Sequence, residues 1–180
     1  MEYNLQKLLA TDIRVQIPEN IVTDILSRPP FVAIPGVINS RDISNRPDGY
    51  SQQHTMRPGY AYRSGALTEA SDDGKAALLE QLGVATIFDL RHSGERIRAP
   101  NPTLDGIETV WAPYTWTPVP VDPKDFANGD GGVSGFVKMY MDILDVSVPI
   151  YQKVFEHIRD GPQKPFLFHC SGKVQPVNCH

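Results

Sequence analysis

Cys170 ends the apolar run Phe166-Leu167-Phe168-His169 and is followed by Ser171-Gly172-Lys173. A cysteine at a strand end with small residues after it is suited to nucleophilic work. Small residues let successive backbone N–H groups turn inward and form a nest for an anion. The same donors stabilise a thiolate, which is the reactive species. A phosphate held there would present its phosphorus to the sulfur. Such chemistry also needs an acid to protonate the departing oxygen and a guanidinium to clamp the phosphoryl oxygens. A second loaded segment is Asp89-Leu90-Arg91, which follows the apolar run Val84 to Phe88. Ligands of open α/β sheets bind outside the carboxyl ends of the strands, where both segments fall. Asp89 and Arg91 also have a plain structural reading, as an ion pair or strand-end cap.

These residues need elements to position them. Pro18-Glu19-Asn20 opens a short amphipathic helix that Arg28-Pro29-Pro30 stops. Residues 31–34 and 37–38 read as two short strands around a Pro35-Gly36 turn. Residues 44–59 are polar and turn-rich, hence a surface loop. Residues 60–63 predict a strand, and Ala76, Leu78, Leu79 and Leu82 predict a helix closed by Gly83. The nearly continuous apolar run over 84–90 predicts a strand buried on both faces. Residues 107–111 predict another strand, and residues 112–132 a long loop rich in Pro, Gly and Asp. Residues 136–158 are helical in pattern with an interruption near Pro149. Phe136, Met139, Tyr140 and Ile143 form one apolar stripe; Ile150, Val154, Phe155 and Ile158 form a second. Strands alternating with helices predict an α/β fold with a mostly parallel sheet flanked by helices.

Composition narrows the function classes. With 180 residues the chain suffices for one domain, and 17 Lys+Arg against 21 Asp+Glu leave a net charge of -4. Nucleic acids and membrane surfaces are anionic and recruit basic patches, so neither is an expected partner. No apolar run approaches the roughly 18 residues of a membrane span. The first residues lack the pattern of a signal peptide, so the expected compartment is the cytoplasm. Two cysteines make no disulfide framework. His169-Cys170 and Cys179-His180 match no zinc-ligand spacing, so neither metal nor cofactor is expected.

Phe168-His169-Cys170-Ser171-Gly172-Lys173 resembles the opening of the cysteine-phosphatase loop, His-Cys-x5-Arg. The nearest form is the His-Cys-x-Ala-Gly-Lys-Asp-Arg-Thr-Gly loop of the atypical tyrosine/serine phosphatases of bacteria and fungi. Three upstream segments resemble further elements of that family in the same order. They are Asn39-Ser40-Arg41-Asp42-Ile43, Tyr62-Arg63-Ser64-Gly65-Ala66-Leu67, and Leu82-Gly83-Val84 through Asp89-Leu90-Arg91 to Glu95. The resemblance implies hydrolysis of phosphotyrosine or phosphoserine/threonine through a cysteinyl-phosphate, without a metal. It makes Cys170 the nucleophile and Asp89 the general acid, with Asp122 and Asp125 as rivals in the long loop. Arg63 and Arg91 would bind phosphate beside the Ser171, Gly172 and Lys173 nest. His169 would help lower the nucleophile's pKa, and Arg41 and Asp42 would support the site. The implied substrate is a phosphorylated protein or a small phosphate ester, a phosphoinositide included.

The chain also departs from that pattern. Six positions after Cys170 stands Pro176 where the loop has Arg, and Ser171-Gly172 is one residue shorter than x-Ala-Gly. The resemblance thus divides the chain into a helical preface over 1–30, a phosphatase-like domain over 31–173 that is truncated within its loop, and an unrelated tail over 174–180. The tail reads as sequence appended at a departed reading frame or splice junction. Three expectations follow: an enzyme impaired by the missing Arg, a non-catalytic phosphate-binding module, or an unstable fragment with a bare sheet face.

Overall fold

The computed structural model of the chain describes residues 6, 8, 10–12, 14–44, 56–116, 122–127 and 129–172. Helix α1 (Glu19–Leu26) precedes strands β1 (Arg41–Asp42) and β2 (Ala61–Ser64). Helix α2 (Asp72–Ala76) runs on through a widened turn, Ala77–Gln81, to strand β3 (Thr86–Asp89). Helix α3 (Ser93–Arg98), strand β4 (Glu108–Val110), helix α4 (Val133–Val146), helix α5 (Val148–Asp160) and strand β5 (Phe166–His169) complete the order. The five strands form one sheet, β1-β2-β5-β3-β4. Among the described residues, only β1 runs antiparallel to its neighbour; the other pairings are parallel. The α/β class and the mostly parallel sheet are as the sequence predicts.

Register decides what each face carries, because side chains alternate across a strand. Tyr62, Leu167 and Ile87 lie side by side and pack with Ile34, Leu67, Leu78 and Val84. Ala61 and Phe166, with Phe88 two rows along, face the other way and pack with Ile150 of α5. The central strands are covered on both faces, which is why β3 reads as an unbroken apolar run. Strand β5 sits between β2 and β3, so Ser64, His169 and Asp89 share one row at the carboxyl edge.

Local signals explain the element ends. The Ser71 side chain accepts from the Gly74 N–H and caps α2. The first turn of α3 carries a reciprocal cap, in which Gly94 N–H donates to the His92 ring and Glu95 accepts from the His92 N–H. Pro149 lies in the first turn of α5, where a missing N–H costs nothing. The helical pattern therefore breaks at Ser147, the junction of α4 and α5, and not at the proline.

Several segments differ from expectation. Residues 31–38 form no strand; an isolated bridge from Phe31 to Arg41 takes their place. Positive φ at Gly36 and at Asn39 turns this segment too sharply for an extended ladder. The long 112–132 segment contains a short 3-10 turn at Pro123–Phe126. On α4, Phe136 and Tyr140 are exposed. On α5, burial follows Ile150, Val154 and Ile158 at four-residue steps, and Phe155 lies round the helix at 69% exposure. Among the described residues, no helix is long and apolar enough to cross a membrane.

Candidate active site

The carboxyl edge of β3 and β5 carries a buried polar cluster. Asp89 ends β3 with its side chain wholly buried. Arg91 folds back on it, with Nε 2.9 Å from Oδ1 and Nη2 2.8 Å from Oδ2. The Arg91 N–H donates to Oδ1 as well. Arg96 of α3 donates its Nε–H to Oδ2 at 3.0 Å. Asn101 donates from Nδ2 to the same oxygen at 3.2 Å. Burial alone would raise the Asp89 carboxyl. The Arg91 hydrogen bonds and charge, joined by His169 once acid protonates its ring, outweigh it and hold the group below the usual carboxylate range.

Arg91 spends its remaining donors on the turn after α3. Nη1 donates to the Ala99 carbonyl at 2.6 Å, and Nη2 to Asn101 Oδ1 at 2.8 Å. The chain around Arg91 is clipped from outside. Trp111 donates its indole N–H to the Arg91 carbonyl, and Tyr114 its hydroxyl to the Leu90 carbonyl, both at 2.9 Å. Arg96 stacks over the Trp111 ring at 4.4 Å.

His169 ends β5 in the same row, 1% exposed. Its Nε2 lies 3.0 Å from Asn101 Nδ2 and its Nδ1 3.2 Å from the Cys170 carbonyl. Burial pushes the imidazole below its ordinary pKa, and the Arg91 and Arg96 charges add to this. Asp89 and the Cys170 carbonyl pull the other way without winning. Cys170 itself is exposed and unpaired. Cys170 thus stands open to solvent next in the chain to the buried His169.

The loop after Cys170 rests on the end of β2. Ala66 N–H donates to the Ser171 carbonyl at 3.2 Å. Gly172 has φ +58, and a Cβ there would stand 2.6 Å from Gly65 Cα. Only glycine allows both that backbone and that approach. The Ser171 hydroxyl donates to Glu95 Oε1, tying the loop to the cap of α3. Burial raises the Tyr114 phenol above its usual value, and the Glu95, Tyr151 and Cys170 charges add to that.

Residues 32–173 match the tyrosine phosphatase family. The chain belongs to that family. It is also 34% identical, over 82 residues, to the Triple specificity protein phosphatase PtpB of Mycobacterium tuberculosis. That match takes in 45% of this chain and 27% of PtpB, so the chain spans about a quarter of the length of this relative.

Against this tyrosine phosphatase frame, the structure brings Asp89, Arg91, His169, Cys170, Ser171 and Gly172 together. It does not fit Asp89 as a general acid, because the side chain is sealed from solvent and ionised, with both oxygens occupied. Nor does it fit Arg91 as a phosphate ligand, since its guanidinium is buried against Asp89, Ala99 and Asn101. Arg63 is exposed but belongs to the row of Phe168 and Phe88, the sheet face opposite Asp89 and His169. Arg41 stacks over the Phe31 ring, and Asp42 accepts from the Ser44 and Gly59 N–H groups. Asp42 thereby ties residue 44 to residue 59, and among the described residues no hydrogen bond or ion pair links Arg41 or Asp42 to Cys170 or its neighbours. Asp122 caps the 3-10 turn, and Asp125 pairs with Lys138. Lys173 lies outside the described residues.

Asn101 and Arg96 belong to none of the sequence motifs that point to the site. Glu95 stood inside a recognised element without a role. The signal for Arg96 was available, three residues into a short helix that starts beside a strand end. Asn101 carried none, because its place depends on the turn that Arg91 folds.

Proposed function

We propose that this chain is a cysteine-dependent phosphatase domain acting on phosphate monoesters of tyrosine or serine/threonine. The observation that carries the reading is the exposed Cys170 thiol, at a strand end beside buried His169, in a chain of the tyrosine phosphatase family. In the first step Cys170 Sγ attacks phosphorus, an S–P bond forms and the P–O bond to the leaving group breaks. Water then attacks the same phosphorus, releasing inorganic phosphate and restoring the thiolate. Ser171 and Gly172 contribute backbone to the anion nest, and Lys173 adds charge. Asp89 and Arg91 act as the rigid footing of the site, not as its acid and phosphate clamp. Residues 31–173 make the domain, with 1–30 before it and 174–180 as a tail. A thiol that must stay reduced suits a reducing compartment such as the cytoplasm.

Turnover by this chain is low, because Pro176 supplies neither an N–H nor the fork-shaped cation that a transferring phosphoryl group needs. The same observation favours a second reading, a domain that binds phosphate without hydrolysing it. An aryl phosphate separates them, since its good leaving group departs without help from an acid. Slow hydrolysis that disappears in Cys170→Ser supports the enzyme. A melting temperature raised by inorganic phosphate, with no hydrolysis, supports the binding module. Neither effect in a cooperatively folding chain overturns both.

A further inference from the structure

We propose that Asn101 is a positioning residue of this site: its amide, oriented by Arg91, fixes His169 in the Nδ1–H tautomer, whose one proton goes to the Cys170 carbonyl. This rests on the phosphatase reading for its purpose but not for its geometry.

The orientation of the amide follows from donor and acceptor counting. Arg91 Nη2 can only donate, so the Asn101 atom 2.8 Å from it must be the oxygen. The opposite face of Asn101 is then the NH2 group, with two hydrogens. Two acceptors stand within reach of it, Asp89 Oδ2 at 3.2 Å and His169 Nε2 at 3.0 Å. A donor aimed at Nε2 requires a bare nitrogen there. The imidazole proton must then sit on Nδ1, where the Cys170 carbonyl accepts it at 3.2 Å. The rival tautomer would set an Nε2–H against the NH2 of Asn101 and a lone pair against the carbonyl. Asp89 Oδ1 offers Nε2 no alternative, being 3.8 Å away. A doubly protonated ring meets the same donor clash, and faces Arg91 and Arg96 besides Asp89.

The consequence is a relay of fixed groups from β3 to the nucleophile. Asp89 orients Arg91, Arg91 orients Asn101, Asn101 selects the His169 tautomer, and His169 holds the Cys170 carbonyl. Turning that carbonyl toward His169 sets the peptide from which the thiol projects and keeps its oxygen away from an incoming anion.

The test reads the tautomer directly. Nitrogen-15 spectra of the histidine rings in the full chain, assigned with His169→Gln, are expected to show His169 at pH 7 with Nδ1 protonated and Nε2 bare. A proton on Nε2 in the unaltered chain overturns the proposal, whatever happens to any variant. In Asn101→Ala the spectrum is expected to lose the single-tautomer pattern. Alkylation of the Cys170 peptide by iodoacetamide, followed by mass spectrometry, should change by about 3-fold or more, since thiolate reactivity tracks its local donors. Asn101→Asp keeps the acceptor for Arg91, removes the amide donors and is expected to move the His169 proton to Nε2. An unchanged tautomer in both variants overturns the assignment. Absence of aryl phosphate hydrolysis with the Nδ1–H tautomer present rejects the phosphatase reading alone.

Discussion

Arg91 reaches back two residues to Asp89, and the two side chains lock in a two-pronged ion pair with 1% and 0% of their surfaces exposed. Charges taken out of water in this way are tolerated only when paired and fully hydrogen-bonded. Here Asp89 has donors from Arg91, Arg96 and Asn101, and Arg91 has acceptors in Asp89, Ala99 and Asn101. The pair joins β3 to the turn after α3 and underlies the layer that carries His169.

Removing one partner strands the other. Arg91→Ala is expected to cost about 3–5 kcal/mol of unfolding free energy, because it leaves a buried carboxylate short of its main donor. Urea denaturation measures this. A loss below about 1 kcal/mol, the scale of an exposed pair, would contradict the structural role.

Asp89→Asn separates footing from acid. It is expected to lower stability while leaving unchanged the alkaline limb of the pH–rate profile for phosphoserine, whose alkoxide leaving group needs an acid. Loss of that limb without loss of stability would restore Asp89 as the general acid.

Two of the depressed groups are buried, and these shape the pH dependence of stability. His169 lies below its ordinary 6.5 in the fold. As pH falls below that value the unfolded chain takes up a proton that the fold refuses, so stability declines. Asp89 lies below its ordinary 3.8. Its contribution is present above that value and is lost as pH falls through the lower folded value. Melting temperature against pH should fall in two stages on the acid side. His169→Gln should flatten the upper stage and leave the lower one. An upper stage unaltered by this substitution would contradict the buried neutral imidazole.

Gly172→Ala tests the seat of the loop. Strain at φ +58 adds to a contact of 2.6 Å with Gly65 Cα, a backbone atom that cannot swing aside. A cost of about 1–3 kcal/mol is expected, with slower modification of Cys170 as the loop shifts. A variant as stable and reactive as the parent would show that the loop does not rest there.

Much of this was legible because the decisive residues sit at strand ends. The apolar runs 84–90 and 166–168 predicted β3 and β5, and their ends delivered Asp89 and Cys170 to one edge. The pairing of Asp89 with Arg91 also had a reading in the sequence, since residues two apart past a strand can meet. What spacing does not reveal is depth. Arg91 holds Asp89 ionised, but the side chain is sealed with the help of Arg96 and Asn101, which arrive from a helix and a turn. Burial on α4 and α5 was half legible for a related reason. Apolar periodicity names a stripe, but which edge of it packs depends on the crossing over the sheet, so Phe136, Tyr140 and Phe155 stay exposed.

Trapping the covalent intermediate tests Cys170 as nucleophile most directly. The full chain is mixed with an aryl phosphate, quenched in acid and digested, and the Cys170 peptide is weighed by mass spectrometry. A phosphoryl group on that peptide, absent in Cys170→Ser, is the predicted result. Hydrolysis that persists in Cys170→Ser, with no phosphoryl group on the Cys170 peptide, would contradict it.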